Sequence, residues 1–194
     1  MKFKSDIDID FADRTEILSL LQHTAASIKN KDNQWEKHNT GIYFTPVPVN
    51  PFNGHCSLDY REAEERGYVK LDFLNVNLYN QVKDENHLQF LINTDPPWDK
   101  LYDRSFCEQL IHIGNHYDTL IKMPQAVTSI EHLAMFLAII RPAKRHLIGS
   151  PWIDVAKTIW DRPFDDSYYF KHSHSIAYSH LIVVHMNLLK NSSN

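Results

Sequence analysis

The chain opens on a stretch with few stable solutions: Ser5-Asp6-Ile7-Asp8-Ile9-Asp10-Phe11. Strict alternation of carboxylates with β-branched and aromatic residues predicts a β-strand, with Asp6, Asp8 and Asp10 on one face and Ile7, Ile9 and Phe11 on the other. Three like charges on one strand face repel one another, and aspartate is a poor strand former. Such a row is tolerable in two ways. It lies on an exposed edge with its carboxylates solvated, or it holds a hard divalent cation, Mg²⁺ or Mn²⁺, which prefers oxygen ligands. The heptapeptide alone leaves both open.

A second strand bears on the choice. Gly67 to Leu74 (GYVKLDFL) alternates Val69, Leu71 and Phe73 against Tyr68, Lys70 and Asp72. A carboxylate and a lysine two residues apart on a strand bound for the core are costly unless paired or used. If the two strands are neighbours, Asp72 joins Asp6 and Asp8 in one cluster. The alternative is an ordinary half-exposed strand.

The remaining pattern predicts a mixed α+β chain. Asp13 is placed to cap a helix over 14–29, Asn30 to Asn39 reads as a polar loop, and Gly41 to Val47 reads as a strand closed by Pro46 and Pro48. Beyond Asn75 the pattern turns helical. Helices are expected over 78–92 and 100–112, after the capping-box form Thr128-Ser129-Ile130-Glu131, and from Ser150-Pro151 to about Trp160. The stretch from Ser173 to Lys190 is apolar and β-branched enough to leave helix or strand open, and its length favours helix. Trp98, Trp152 and Trp160 are expected to pack between helices. Lys144-Arg145-His146, the densest basic patch, is either a phosphate contact or a solvated loop.

With 194 residues, 43% hydrophobic and 23% charged, the chain is of a length for one globular domain, or one with a helical appendage. A net charge of −4 argues against bulk nucleic-acid affinity while allowing a local basic groove. Cys56 and Cys107 lack disulfide or zinc spacing, and most of the twelve histidines are expected at the surface or in hydrogen-bonded core positions. No apolar leader follows Met1 and no run is long enough to span a membrane, so an intracellular, cytoplasmic protein is the default expectation.

The order of motifs resembles the catalytic core of the bacterial replicative DNA polymerase III alpha subunit, the C-family polymerases, in drastically shortened form. Ser5 to Phe11 is similar to that family's P-D-x-D-x-D-F strand, with Ser5 in place of proline. Lys37-His38-Asn39-Thr40-Gly41-Ile42 resembles K-H-A-G-G-V, and Gly67 to Leu74 resembles G-L-V-K-F-D-F-L. Thr128 to Pro142 is similar to S-x-E-D-L-x-A-x-x-A-L-x-R-P, and Phe170 to Tyr178 resembles F-N-K-S-H-S-A-A-Y. The five motifs stand in the family's order.

The resemblance implies a reduced palm sheet of the polymerase-beta-like nucleotidyltransferase type over residues 1–95, and a helical, fingers-like region over 96–194. Carried over by position, Asp6, Asp8 and Asp72 would be the catalytic and metal-binding triad for two Mg²⁺ or Mn²⁺ ions, with Asp10 supporting. Lys37, His38, Lys70, Arg141, Ser173 and His174 would line the nucleotide and phosphate region. The implied partners are a nucleoside triphosphate, a DNA or RNA primer end and a replication protein, in a bacterial or phage-infected cell.

The departures bear on activity. With Met1 just ahead of the acidic strand, the family's Gly-Ser triphosphate motif is expected to be missing. Gln22 to Ser27 stands for F-G-T-x-A-A-K without its lysine, Leu110 to Gly114 keeps neither the glutamine nor the glutamate of F-Q-L-E-S, and Ala143 replaces a glycine. Three readings remain open: a minimal metal-dependent nucleotidyltransferase, a polymerase-derived binding or regulatory protein, and an inherited scaffold in which metal only stabilises the fold. A free-standing processive replicase is not expected, for want of phosphate-neutralising surface.

Overall fold

The computed structural model describes residues 7–30, 32–165 and 167–192. The chain is α+β and divides into two compact units, Met1–Gln81 and Val82–Asn194.

Unit 1 is built on strands β1 (Ile7–Phe11), β2 (Thr24–Lys29), β3 (Trp35–Tyr43) and β4 (Leu71–Asn75), with helices α1 (Arg14–Leu20) and α2 (Tyr60–Glu65). The sheet order is β1-β4-β3-β2. β1 runs parallel to β4 with Asp8 opposite Asp72 and Ile9 opposite Phe73. The other pairs are antiparallel, Gly41 lying opposite Asp72 and Ile42 opposite Leu71. Register and alternation therefore send Ile7, Ile9, Phe11, Ile42, Leu71 and Phe73 to one face, and Asp8, Gly41 and Asp72 to the other. The apolar face closes through the Phe11 and Phe73 rings, 4.7 Å apart. The second face is covered in part by a small core of Ala26, Tyr43, Cys56, Leu58 and Ala63, the last on α2.

Asp13 caps α1 as expected, its Oδ1 accepting the Thr15 N–H at 2.8 Å. The Arg14 guanidinium donates to the Phe73 carbonyl and the Arg14 N–H to Asn75 Oδ1, which ties the start of α1 to the end of β4. The expected helix over 14–29 stops at Leu20, and its second half is β2. Ala25 and Ile28 fit a helical period, but Thr24 and Ile28 suit a strand. There Ala26 is fully buried and the Ser27 hydroxyl donates to the Cys56 carbonyl at 2.6 Å. The expected polar loop is shorter than predicted. Asn30 Oδ1 accepts the N–H groups of Asp32 and Gln34, Asn33 takes a left-handed φ of 57°, and β3 begins at Trp35.

Unit 2 is helical: α3 (Glu85–Asn93), α4 (Arg104–Cys107), α5 (Tyr117–Leu120), α6 (Ile130–Ile139), α7 (Trp152–Thr158) and α8 (His172–Ser192). Every residue from Leu133 to Ile139 of α6 is buried, the signature of a central helix. It packs against α8 in a core that includes Phe136, Ile182 and Met186. The α6 cap falls one residue beyond the expected box: Ser129, not Thr128, accepts the His132 N–H at 3.1 Å. The helix ends before Arg141-Pro142 as expected.

The helix expected over 78–92 is a 3₁₀ turn at Asn77–Gln81 followed by α3, because Asp84 caps α3 through the His87 N–H. That expected over 100–112 is interrupted likewise, Asp103 capping the short α4. Ser150 makes no cap for α7. Gln125 Oε1 accepts the Trp152 N–H instead, and the Trp152 indole N–H donates to Ala126 O. Trp152 is buried, and Trp98 and Trp160 pack on the same core. Among the described residues, no helix is long and apolar enough to cross a membrane.

Candidate functional site on β1, β3 and β4

Asp72 is the centre of the polar face of unit 1 and is only 8% exposed. A carboxylate so placed requires partners, and β3 and its own strand supply them. Lys70, two residues back on the same face, forms an ion pair with Asp72 Oδ2. The Thr40 hydroxyl donates to Asp72 Oδ1 at 2.6 Å. Asp8 lies opposite Asp72 on the adjacent parallel strand.

Gly41 makes the arrangement possible. A Cβ there would stand 2.7 Å from Lys70 Cδ and 2.9 Å from His38 Nδ1, so only glycine lets both side chains lie across β3. His38 borders the site on β3. Its Nδ1 accepts the Gly41 N–H at 2.9 Å and lies 3.7 Å from Asp72 Oδ1. Because Nδ1 is an acceptor, the ring is neutral with its proton on Nε2, and its approach to Asp72 is not an ion pair. Burial, and then the charge of Lys70, hold the imidazole below its usual range, consistent with that tautomer.

Asp10 is exposed on β1 opposite Leu74. Partial desolvation, with the charge of Asp8 added, raises its carboxyl above the usual aspartate value. Lys37 is exposed, in register with Ser27. Asp6, the remaining member of the expected triad, lies outside the described residues. Among the described residues no group of three or more His, Cys, Asp or Glu side chains gathers as a metal centre.

The other expected residues belong to unit 2. The Arg141 guanidinium lies 4.4 Å from the Phe170 ring, and the His174 ring is 6.3 Å from the same phenylalanine. Phe170 thus gathers two of the three, while Ser173 sits beside them in the first turn of α8. Within the basic patch, Lys144 is buried, 5% exposed, with its ammonium donating to the Thr158 carbonyl, whereas Arg145 and His146 are exposed.

Three residues at the Asp72 site escaped the sequence reading. Thr40 stands at a glycine position of the K-H-A-G-G-V pattern, a departure that could have drawn attention to it. Tyr60 and Arg61, at the start of α2, carry no motif. The Tyr60 ring meets His38 edge-on at 5.1 Å, with the Arg61 guanidinium 4.7 Å from its centroid. No protein-family model, curated protein or solved structure compared with the chain matches it.

Proposed function

We propose that unit 1 is a reduced palm of the nucleotidyltransferase type, which binds a divalent cation and a nucleoside triphosphate and transfers a nucleotide to a hydroxyl acceptor such as a nucleic-acid end. The observation that carries this reading is the in-register pairing of Asp8 with Asp72 on adjacent parallel strands. Two hard oxygen donors side by side fit Mg²⁺ or Mn²⁺. Asp8 and Asp72 would hold the ion, joined by Asp6 on the strength of the polymerase resemblance. Bound there, the cation supplies activation of an acceptor hydroxyl and charge neutralisation at the leaving pyrophosphate. Lys70 pairs with Asp72 in the absence of a cation and, once released, has an ammonium to offer a phosphate.

The test is transfer from an α-labelled nucleoside triphosphate to an oligonucleotide primer in Mg²⁺ or Mn²⁺. Asp8→Asn and Asp72→Asn are each expected to abolish transfer while circular dichroism stays unchanged. Absence of transfer by the unaltered chain to DNA, RNA or protein acceptors would refute the enzyme reading.

One observation favours a second reading, a polymerase-derived binding protein that no longer transfers. Both oxygens of Asp72 are engaged, by Lys70 and by Thr40. Metal-dependent nucleotide binding without turnover would be its signature, and a replication protein its natural partner.

A further inference from the structure

We propose that Arg61, Lys70 and His38, ranged around the ring of Tyr60, form an anion clamp for the phosphate groups of a nucleoside triphosphate. Three elements contribute: Tyr60 and Arg61 begin α2, His38 sits on β3, and Lys70 leads into β4. The Arg61 guanidinium carbon and the Lys70 ammonium lie 4.7 and 5.6 Å from the Tyr60 centroid, and the His38 ring meets its edge at 5.1 Å.

The local charge balance leaves donors over. Asp59, the nearest carboxylate to Arg61, is satisfied by the backbone: Oδ2 accepts the Lys29 N–H at 2.8 Å and Oδ1 the Arg61 N–H at 2.9 Å. The Arg61 guanidinium stops 3.8 Å from that Oδ1, beyond hydrogen-bonding reach, and its side chain is 62% exposed. Glu62, the next carboxylate along α2, is taken by Arg66 at 2.6 Å. Lys70 spends one of its three N–H donors on Asp72. His38, with Nδ1 accepting from the backbone, has Nε2–H to give.

Contact with the tyrosine ring orients a guanidinium without consuming its N–H groups. A planar fork held in that way matches the paired oxygens of a phosphate. The choice of a triphosphate as occupant rests on the nucleotidyltransferase reading above, whereas anion binding by the patch does not.

The experiment is calorimetric titration of the full chain with inorganic triphosphate in EDTA, so that no metal bridge contributes. Arg61→Gln is expected to weaken binding on the order of tenfold, the loss of charge-assisted hydrogen bonds. Arg66→Gln, which removes an equal charge from the same helix but outside the patch, is expected to leave binding unchanged apart from a small screened effect. The clamp is overturned if the unaltered chain binds no triphosphate, if Arg61→Gln binds as tightly as the unaltered chain, or if Arg66→Gln loses as much. Tighter binding of a single-stranded oligonucleotide, with the same loss in Arg61→Gln, would overturn the triphosphate assignment in favour of a nucleic-acid backbone. Triphosphate binding that persists in a chain inactive in transfer would sink the enzyme reading and leave the clamp standing.

Discussion

Replacing Lys70 by methionine isolates the interaction that makes Asp72 tolerable. The substitution keeps the length and apolar contacts of the stem and removes the ammonium. Lys70 and Asp72 side chains are 15% and 11% exposed, so the carboxylate left behind is poorly hydrated and keeps the Thr40 hydroxyl and a neutral His38 ring nearby, with Asp8 opposite. Breaking a buried pair by deleting one partner costs about 3–5 kcal/mol. The retained Thr40 bond and the residual exposure place the expectation at the low end, about 3 kcal/mol. At about 1.4 kcal/mol per decade, that is on the order of a hundredfold faster amide exchange wherever exchange follows opening of unit 1.

Hydrogen exchange read by mass spectrometry on β3 and β4 peptides is the assay, because it separates unit 1 from unit 2. Lys70→Met/Asp72→Asn should recover part of the loss at neutral pH. Unchanged protection of β4 in Lys70→Met would refute the reasoning.

Two further outcomes are expected. The Tyr43 hydroxyl is buried without a hydrogen-bond partner, and desolvation pushes its phenol far above the usual range, so Tyr43→Phe should be neutral or stabilising by up to about 1 kcal/mol, a result that urea unfolding followed at unit 1 would contradict by showing a clear loss. In unit 2, partial desolvation and then the charge of Arg141 push the imidazole of His112, exposed as that residue is, down to about 4 from its ordinary 6.5, and partial burial lowers His116, His132 and His185 as well. His112 stays neutral in the folded unit and takes a proton on unfolding, so its contribution is whole above about pH 6.5 and lost as pH falls towards 4, and the other three act in the same direction. Tryptophan fluorescence, dominated by Trp98, Trp152 and Trp160, should show the midpoint falling over that interval, less steeply in His112→Gln.

What was legible in the sequence divides along local and non-local lines. α6 was readable because a capping box leads into apolar residues at helical spacing, and α8 because its length exceeds that of a strand. β1 and β4 were readable because alternation is local, and Asp13 because a cap acts on the next turn. β2 was not, since Ala25 and Ile28 satisfy a helical period as well as a strand, and pairing with β3 decides between them. The first half of β3 was missed because Glu36, Lys37 and Asn39 are exposed and carry no apolar signal.

At the site, the two aspartates and Lys70 stand out because charges on a strand are conspicuous. Thr40, Tyr60 and Arg61 do not, because their roles come from folding α2 and β3 onto β4. Ser150 shows the converse error. Its sequence is a good cap, yet Gln125, remote in sequence, does the work.

The position of β1 has a consequence for the order of assembly. Among the described strands it comes first in the chain and stands at an edge of the sheet, beside the last. β2 and β3 can pair as a hairpin across a short turn. β4 joins β3 through contacts such as Thr40 to Asp72, 32 residues apart, and β1 joins β4 through contacts such as Arg14 to Phe73, 59 residues apart. Loop closure of that span is slower than hairpin formation, and a parallel pair has no turn to template it. On a ribosome, Asp8 therefore waits until β4 has emerged, and its carboxylate meets Asp72 only when β4 is in place. Unit 1 gains its paired carboxylates in its closing step of folding, after Lys70 and Thr40 can already hold Asp72.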